Sequence, residues 1–175
     1  MEISELMKKA SVFHGHLCPG VAIGTLAAKY ALDHGFQFSP NEEIVAVVEN
    51  NNCSVDAIQA LLGCTFGKGN LIFHDYGKNS YTFYNRKNKK AVRLAFKNPF
   101  NEKKKLSKEE SIQILLKKKP EEVFEIKEVE FNPPSFALIE ESIPCDICKE
   151  DTMSSRLMEY QGNRMCIDCY KKMKK

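Results

Sequence analysis

Cys145-Asp-Ile-Cys148 and Cys166-Ile-Asp-Cys169 form two C-x-x-C pairs with seventeen residues between them, and no other feature restricts the fold of this chain as tightly. Four soft thiolates on two knuckles suit a tetrahedral metal, zinc above all, with metal–sulfur bonds of about 2.3 Å. Between the pairs, residues 156–160 and 163–166 read as two short strands joined across Gln161 and Gly162, and the second pair runs into Tyr170 and a lysine-rich tail able to start a helix. Knuckle, hairpin and knuckle at a helix start make the treble-clef layout. A segment of about thirty residues buries little core, so the metal holds it together, with an apparent binding free energy of about 10–16 kcal/mol. Four protein ligands leave no open position for catalysis. Cys145, Cys148, Cys166 and Cys169 therefore read as a structural zinc site, with an iron–sulfur cluster or a redox dithiol as the alternatives.

Asn132, Pro133 and Pro134 break the pattern upstream. They divide the 175 residues into a core domain over 1–131, a linker over 132–144 and the finger over 145–175. A chain of this length is expected to hold one main domain and an appendage. Lys and Arg number 26 against 23 Asp and Glu, a formal net charge of +3, which is not the footprint of a dedicated nucleic-acid binder. The local basic runs at 86–90, 103–105, 117–119 and 171–175 read as solvated faces. The N-terminus lacks a secretory h-region, and no run approaches the roughly 18 apolar residues of a membrane span. A soluble, cytoplasmic protein is expected, with no membrane partner. In that compartment paired cysteines point to metal rather than disulfides, which leaves three of the seven cysteines, Cys18, Cys53 and Cys64, to be explained.

Cys18 lies in Phe13–Gly24, FHGHLCPGVAIG, with His14 and His16 just before it. Pro19 is suited to a first helical position, and Val21, Ile23, Leu26, Ala27, Tyr30 and Ala31 recur at helical spacing to about Asp33. The Cys18 sulfur is thus expected among free N–H groups at the positive end of a helix, where a thiolate is favoured. Gly20, Gly24 and Ala28 form a smooth stripe on the same helix, suited to close approach of a backbone from this chain or from a second subunit; a dimer packing face is the expectation.

Ahead of this, residues 4–12 read as a short helix. Downstream, Ile44–Val48 reads as a buried strand. A helix then runs to Gly63, with Ser54 as N-cap and Asp56 in the dipole-favoured first turn. Cys53 and Cys64 flank it, about 15 Å apart unless the flanks fold back. Residues 71–74, 81–85 and 91–96 read as a three-stranded antiparallel meander. Ser107 with Glu110 makes a capping box, and 125–131 one more strand. Segregated helices and strands argue for an α+β fold, helices packed on an antiparallel sheet.

Histidine beside cysteine can ligate a metal or activate a thiol. His14, His16, Cys18, Cys53 and Cys64 are therefore the candidate core site, with metal and thiol chemistry both open. Gly67-Lys68-Gly69-Asn70 could meet an anion through Lys68 and Asn70, although it lacks the Walker order; a ligand-free turn is the alternative.

FHGHLCPG, followed by CSVDAIQALLGCTFGKGNL and DYGK, resembles the FmdE family, which takes its name from formylmethanofuran dehydrogenase. His14, His16 and Cys18 match its H-G-H-x-C-P-G motif, and Cys53 and Cys64 match the second. The resemblance implies an α+β core in an intertwined dimer, a Cys/His-lined site, and in some members a C-terminal zinc finger. The expected role is a subunit or accessory factor of a molybdenum or tungsten oxidoreductase, with structural zinc in the finger and, in the core site, either a second metal ion or thiol chemistry. The rival expectation is a non-enzymatic regulator or metal sensor whose finger contacts nucleic acid or a protein.

Overall fold

The computed structural model describes residues 1–100 and 106–174, so the basic run at 103–105 and the last lysine of the tail lie outside the described residues. The chain divides into two units, Met1–Phe136 and Ala137–Lys175.

In the first unit, helix α2 (Pro19–Asp33) is buried along nearly its whole length, from Val21 to Ala28 and again at Ala31. A helix so apolar on all sides can only be a core element. It packs against α1 (Ile3–His14), α3 (Ser54–Leu62) and α4 (Lys108–Leu116). These helices cover one face of a five-stranded sheet made of β1 (Ile44–Val48), β2 (Leu71–Phe73), β3 (Ser80–Asn85), β4 (Lys90–Phe96) and β5 (Phe124–Glu128). Strand residues alternate as the period of two requires. Ile44, Ala46, Val48, Tyr81, Phe83, Val92 and Leu94 join the helices, while Val45, Tyr84 and Ala91 form a smaller cluster with Ile72, Val129 and Phe131. The capping box of α4 is formed: Glu110 N–H donates to Ser107 Oγ at 3.1 Å and Ser107 N–H to Glu110 Oε2 at 2.8 Å.

The sheet order is β2-β1-β3-β4-β5, antiparallel except that β2 runs parallel to β1. This corrects the meander expected over 71–96. The crossover through α3 returns the chain beside β1 in the same direction, as a β-helix-β connection does. The loop after β2 then passes the end of β1, where His74 N–H donates to Val48 O and Lys78 N–H to Glu49 O, and enters β3 on the other side. The antiparallel meander is β3-β4-β5 instead.

The small-residue stripe on α2 is also reassigned. A methyl group on Gly24 would overlap the Ser54 carbonyl, and one on Gly20 would come within 3.0 Å of Cys53 Cβ. The backbone received there is the start of α3 in the same chain, not a second subunit.

The expected linker is altered at both ends. Residues 132–136 stay with the first unit, where the Arg86 guanidinium donates to Pro134 O at 2.9 Å and lies 4.1 Å from the Phe136 ring centroid. In the second unit, β6 (Ser142–Pro144) pairs with β7 (Asp151–Met153). A 3-10 turn at Ser154–Arg156 leads to the hairpin of β8 (Leu157–Tyr160) and β9 (Asn163–Cys166), and then to α5 (Ile167–Met173). Its buried apolar cluster is Cys145, Met165 and Cys169 with Tyr160, Cys166 and Tyr170 packed around them. No helix among the described residues is long and apolar enough to cross a membrane.

Candidate functional site

The core site is built where α1 ends and α2 begins. Helix α1 carries on through His14 and stops at Gly15, whose φ of 93° closes it in the left-handed conformation glycine tolerates. The turn brings His16 back beside His14, ring centroids 4.4 Å apart. Cys18 is the N-cap of α2, and its Sγ accepts the Val21 N–H at 3.4 Å. On its other side, Cys18 Sγ lies 3.9 Å from His14 Nε2. His14, His16 and Cys18 thus offer donor atoms all within 4.8 Å of one another. Two imidazoles and one thiolate are a donor set for late divalent metals such as zinc. Three protein ligands leave a coordination position free, the arrangement of reactive rather than structural sites.

Cys53, the residue preceding α3, is not one of the three, yet it lies against Cys18. Burial first, then its hydrogen bond to Cys18 and the Cys18 charge, push the Cys53 thiol up against a smaller opposing backbone hydrogen bond, with the Asp56 charge adding to the rise. Cys64 is elsewhere. The nine-residue α3 keeps it at the opposite end from Cys53. Its thiol is fully buried and donates to Ile44 O at 3.5 Å. Burial pushes it up to about 12, with only partial relief from the Lys68 charge. The flanks do not fold back, so the structure leaves Cys64 out of the core constellation.

Lys68 and Asn70 are likewise turned onto the chain itself. Lys68 Nζ donates to Ser39 O at 2.6 Å. Asn70 is fully buried, accepts from Thr65 N–H at 3.0 Å and donates to Ile44 O at 2.9 Å. The glycine-punctuated loop ties down the start of β1, and its two polar side chains are occupied in doing so rather than aimed at an anion.

In the second unit, Cys145, Cys148, Cys166 and Cys169 bring their sulfurs within 4.8 Å of one another. A tetrahedral metal with bonds of about 2.3 Å spaces its ligands about 3.8 Å apart, and Cys148 Sγ and Cys166 Sγ are 3.9 Å apart. Burial works against ionisation of Cys145, but the backbone N–H groups of Cys166, Cys148 and Ile147 converge on it, and together with Cys148 they lower its thiol to about 6. A metal such as zinc fits this cluster.

Residues 13–133 match the family model described as FmdE, molybdenum formylmethanofuran dehydrogenase operon. The chain belongs to the FmdE family. A curated relative in Archaeoglobus fulgidus, named a probable S-adenosyl-L-methionine-binding protein, is 31% identical over 199 residues, covering 96% of this FmdE chain and 53% of the relative. The chain therefore spans about half the length of that relative. A solved protein of Syntrophus aciditrophicus, described as tungsten formylmethanofuran dehydrogenase FmdE-like, superposes with a TM-score of 0.73 at 24% identity, over 96% of this chain and 91% of that one. The α+β core is thus the part that the FmdE family model covers, and the likeness in fold to the solved protein extends over 96% of the chain.

Two groups that shape the FmdE core site were not evident as site residues from the sequence. Asp56, expected only to favour the helix dipole, accepts a hydrogen bond from His14 Nδ1 at 2.7 Å. The N-cap of α3 is Cys53 rather than Ser54, and Asn52 just before it braces the helix start: its Oδ1 accepts from Ser54 N–H at 3.0 Å and from Ser54 Oγ at 2.6 Å. Ser54 Oγ in turn accepts from the buried Tyr81 hydroxyl at 2.6 Å. These bonds fix the start of α3, and so Cys53. The asparagine run Asn50–Asn52 was the available signal, since such residues favour turns and caps through their side chains.

Proposed function

We propose that this FmdE protein is a subunit or accessory factor of a molybdenum or tungsten oxidoreductase such as formylmethanofuran dehydrogenase, acting through a metal ion held by His14, His16 and Cys18 with Cys53 beside them. The observation that carries the reading is the convergence of those three donors within 4.8 Å at the mouth of α2. Bound there, a metal would supply Lewis-acid or redox chemistry. The protein's own residues do the rest. The Val21 N–H holds the Cys18 sulfur in place, and the two imidazoles would hold the ion together with that sulfur. Cys53 stands ready as a further thiol. In the second unit the four cysteines hold a structural zinc that serves assembly or partner contact.

The working form is a cytoplasmic homodimer. Val12, Phe13 and Leu17, exposed at 76%, 56% and 57% beside the site, support an additional chain covering this rim. Elemental analysis of anaerobically purified protein tests the reading: two metals per chain are expected, falling to one in Cys18→Ala. An unchanged stoichiometry sinks the core metal, and a monomer by analytical ultracentrifugation of the same samples sinks the dimer.

A further inference from the structure

We infer that Asp56 is a positioning residue for the core metal, acting through His14 and itself held by Gln59. The inference rests on the metal reading of the site given above.

His14 ends α1 and Asp56 lies in the first turn of α3, forty-two residues further on, yet Asp56 Oδ2 is 2.7 Å from His14 Nδ1. The other oxygen, Oδ1, accepts from Gln59 Nε2 at 3.3 Å, one turn along the same helix. An ionised carboxylate has no proton to give, so the hydrogen on this bond belongs to Nδ1. That choice decides the rest of the ring. With Nδ1 protonated, the lone pair is on Nε2, and Nε2 is the nitrogen that faces Cys18 Sγ at 3.9 Å. The His14 side chain is only 11% exposed, so water does not compete well for either nitrogen. Carboxylate, imidazole and open donor therefore stand in line, the arrangement by which metalloproteins fix the tautomer and the aim of a ligating histidine.

A plain strut between α1 and α3 would need only an ion pair. It would not need the pair to be made by the one nitrogen that leaves its fellow pointing at the thiol, nor the second carboxylate oxygen to be held by Gln59. Of the three metal donors it is His14 that Asp56 is hydrogen-bonded to, so its hold on the ligand set runs through the ring.

The test uses the full chain and cobalt(II) as probe, with the core affinity read by competition against a chromophoric chelator and the site geometry by the visible d–d bands. Asp56→Asn keeps shape but can offer its amide N–H to Nδ1, which selects the wrong tautomer. It is expected to weaken core cobalt binding about 10- to 100-fold and to shift the d–d bands, while the tetrathiolate bands of the second unit stay as in the wild type. Asp56→Glu is expected to recover part of the loss. If Asp56→Asn does not fold, Gln59→Ala reads the same relay, with an expected loss in the same direction and smaller than the roughly 10- to 100-fold of the direct partner.

Wild-type core affinity and spectrum in these variants, with or without a lowered melting temperature of the metal-free protein, overturn the inference and leave Asp56 a strut. A wild-type chain whose cobalt binding is the same as that of Cys18→Ala overturns the metal reading itself, and the inference with it.

Discussion

The Cys64 sulfur is sealed from solvent and has the carbonyls of Ile44 and Leu62 as its polar neighbours. A thiol can donate there, but a thiolate would face carbonyl oxygen with no water to screen it, which is why burial raises it from 9.0 to about 12. The linkage follows directly. Below about pH 9 the thiol is protonated in both states and the stability is fully present. As pH rises from 9 toward 12 the unfolded chain ionises while the folded one does not, so stability falls. Tyr81, lifted mainly by burial to about 12, adds to the same loss above its ordinary 10.0. Cys64→Ala is therefore expected to cost stability at neutral pH, through the small cavity it leaves, and to flatten the alkaline decline. Urea unfolding at about pH 7, 9 and 10.5 reads both, and a decline as steep as the wild type's would contradict the assignment. Cys18 stands in contrast: the same residue type, placed at a helix mouth with a backbone donor at 3.4 Å and an imidazole at 3.9 Å, is equipped to act.

Helix α3 is the element on which the first unit turns. Its path makes β2 parallel to β1, its first turn supplies Asp56, and its start sets Cys53 against α2 with only glycine between. A methyl group at Gly24 has no room, because the obstacle is the Ser54 backbone rather than a side chain that can swing away. Gly24→Ala is expected to lower stability by about 1–3 kcal/mol, and to loosen core metal binding by shifting Cys53 and Asp56 relative to Cys18. A melting curve with metal analysis of the same sample decides it: an unchanged transition would mean that the two helices slide apart freely. The limits of α2, the capping box of α4 and the cap at Gly63 were legible because caps and apolar spacing are local signals. The neighbour of β2 was not, since a three-residue strand carries no mark of the strand beside it. The bond from Asp56 to His14 was equally hidden, because it spans forty-two residues and depends on how two helices dock.

At the scale of the molecule, the two units rest on different foundations. The first has an extensive apolar core shared by helices and sheet, whereas the second buries Cys145, Met165 and Cys169 and little else. A strong chelator is therefore expected to unfold residues 137–175 while leaving the sheet of the first unit intact. Hydrogen exchange would show it as lost protection in β8 and β9 with β3 and β4 unaffected, and protection kept throughout would mean that the second unit does not depend on metal. The turn at Gly15 explains why the core site should not behave in the same way. Its three donors lie within five consecutive residues, so gathering them closes almost no loop and removes little entropy from the unfolded chain. The finger must close seventeen residues between its knuckles, and the cost of closing a flexible loop grows with its length. A metal in the finger would therefore act as a crosslink on the chain, whereas one held in the core would be a passenger able to come and go without the fold being remade.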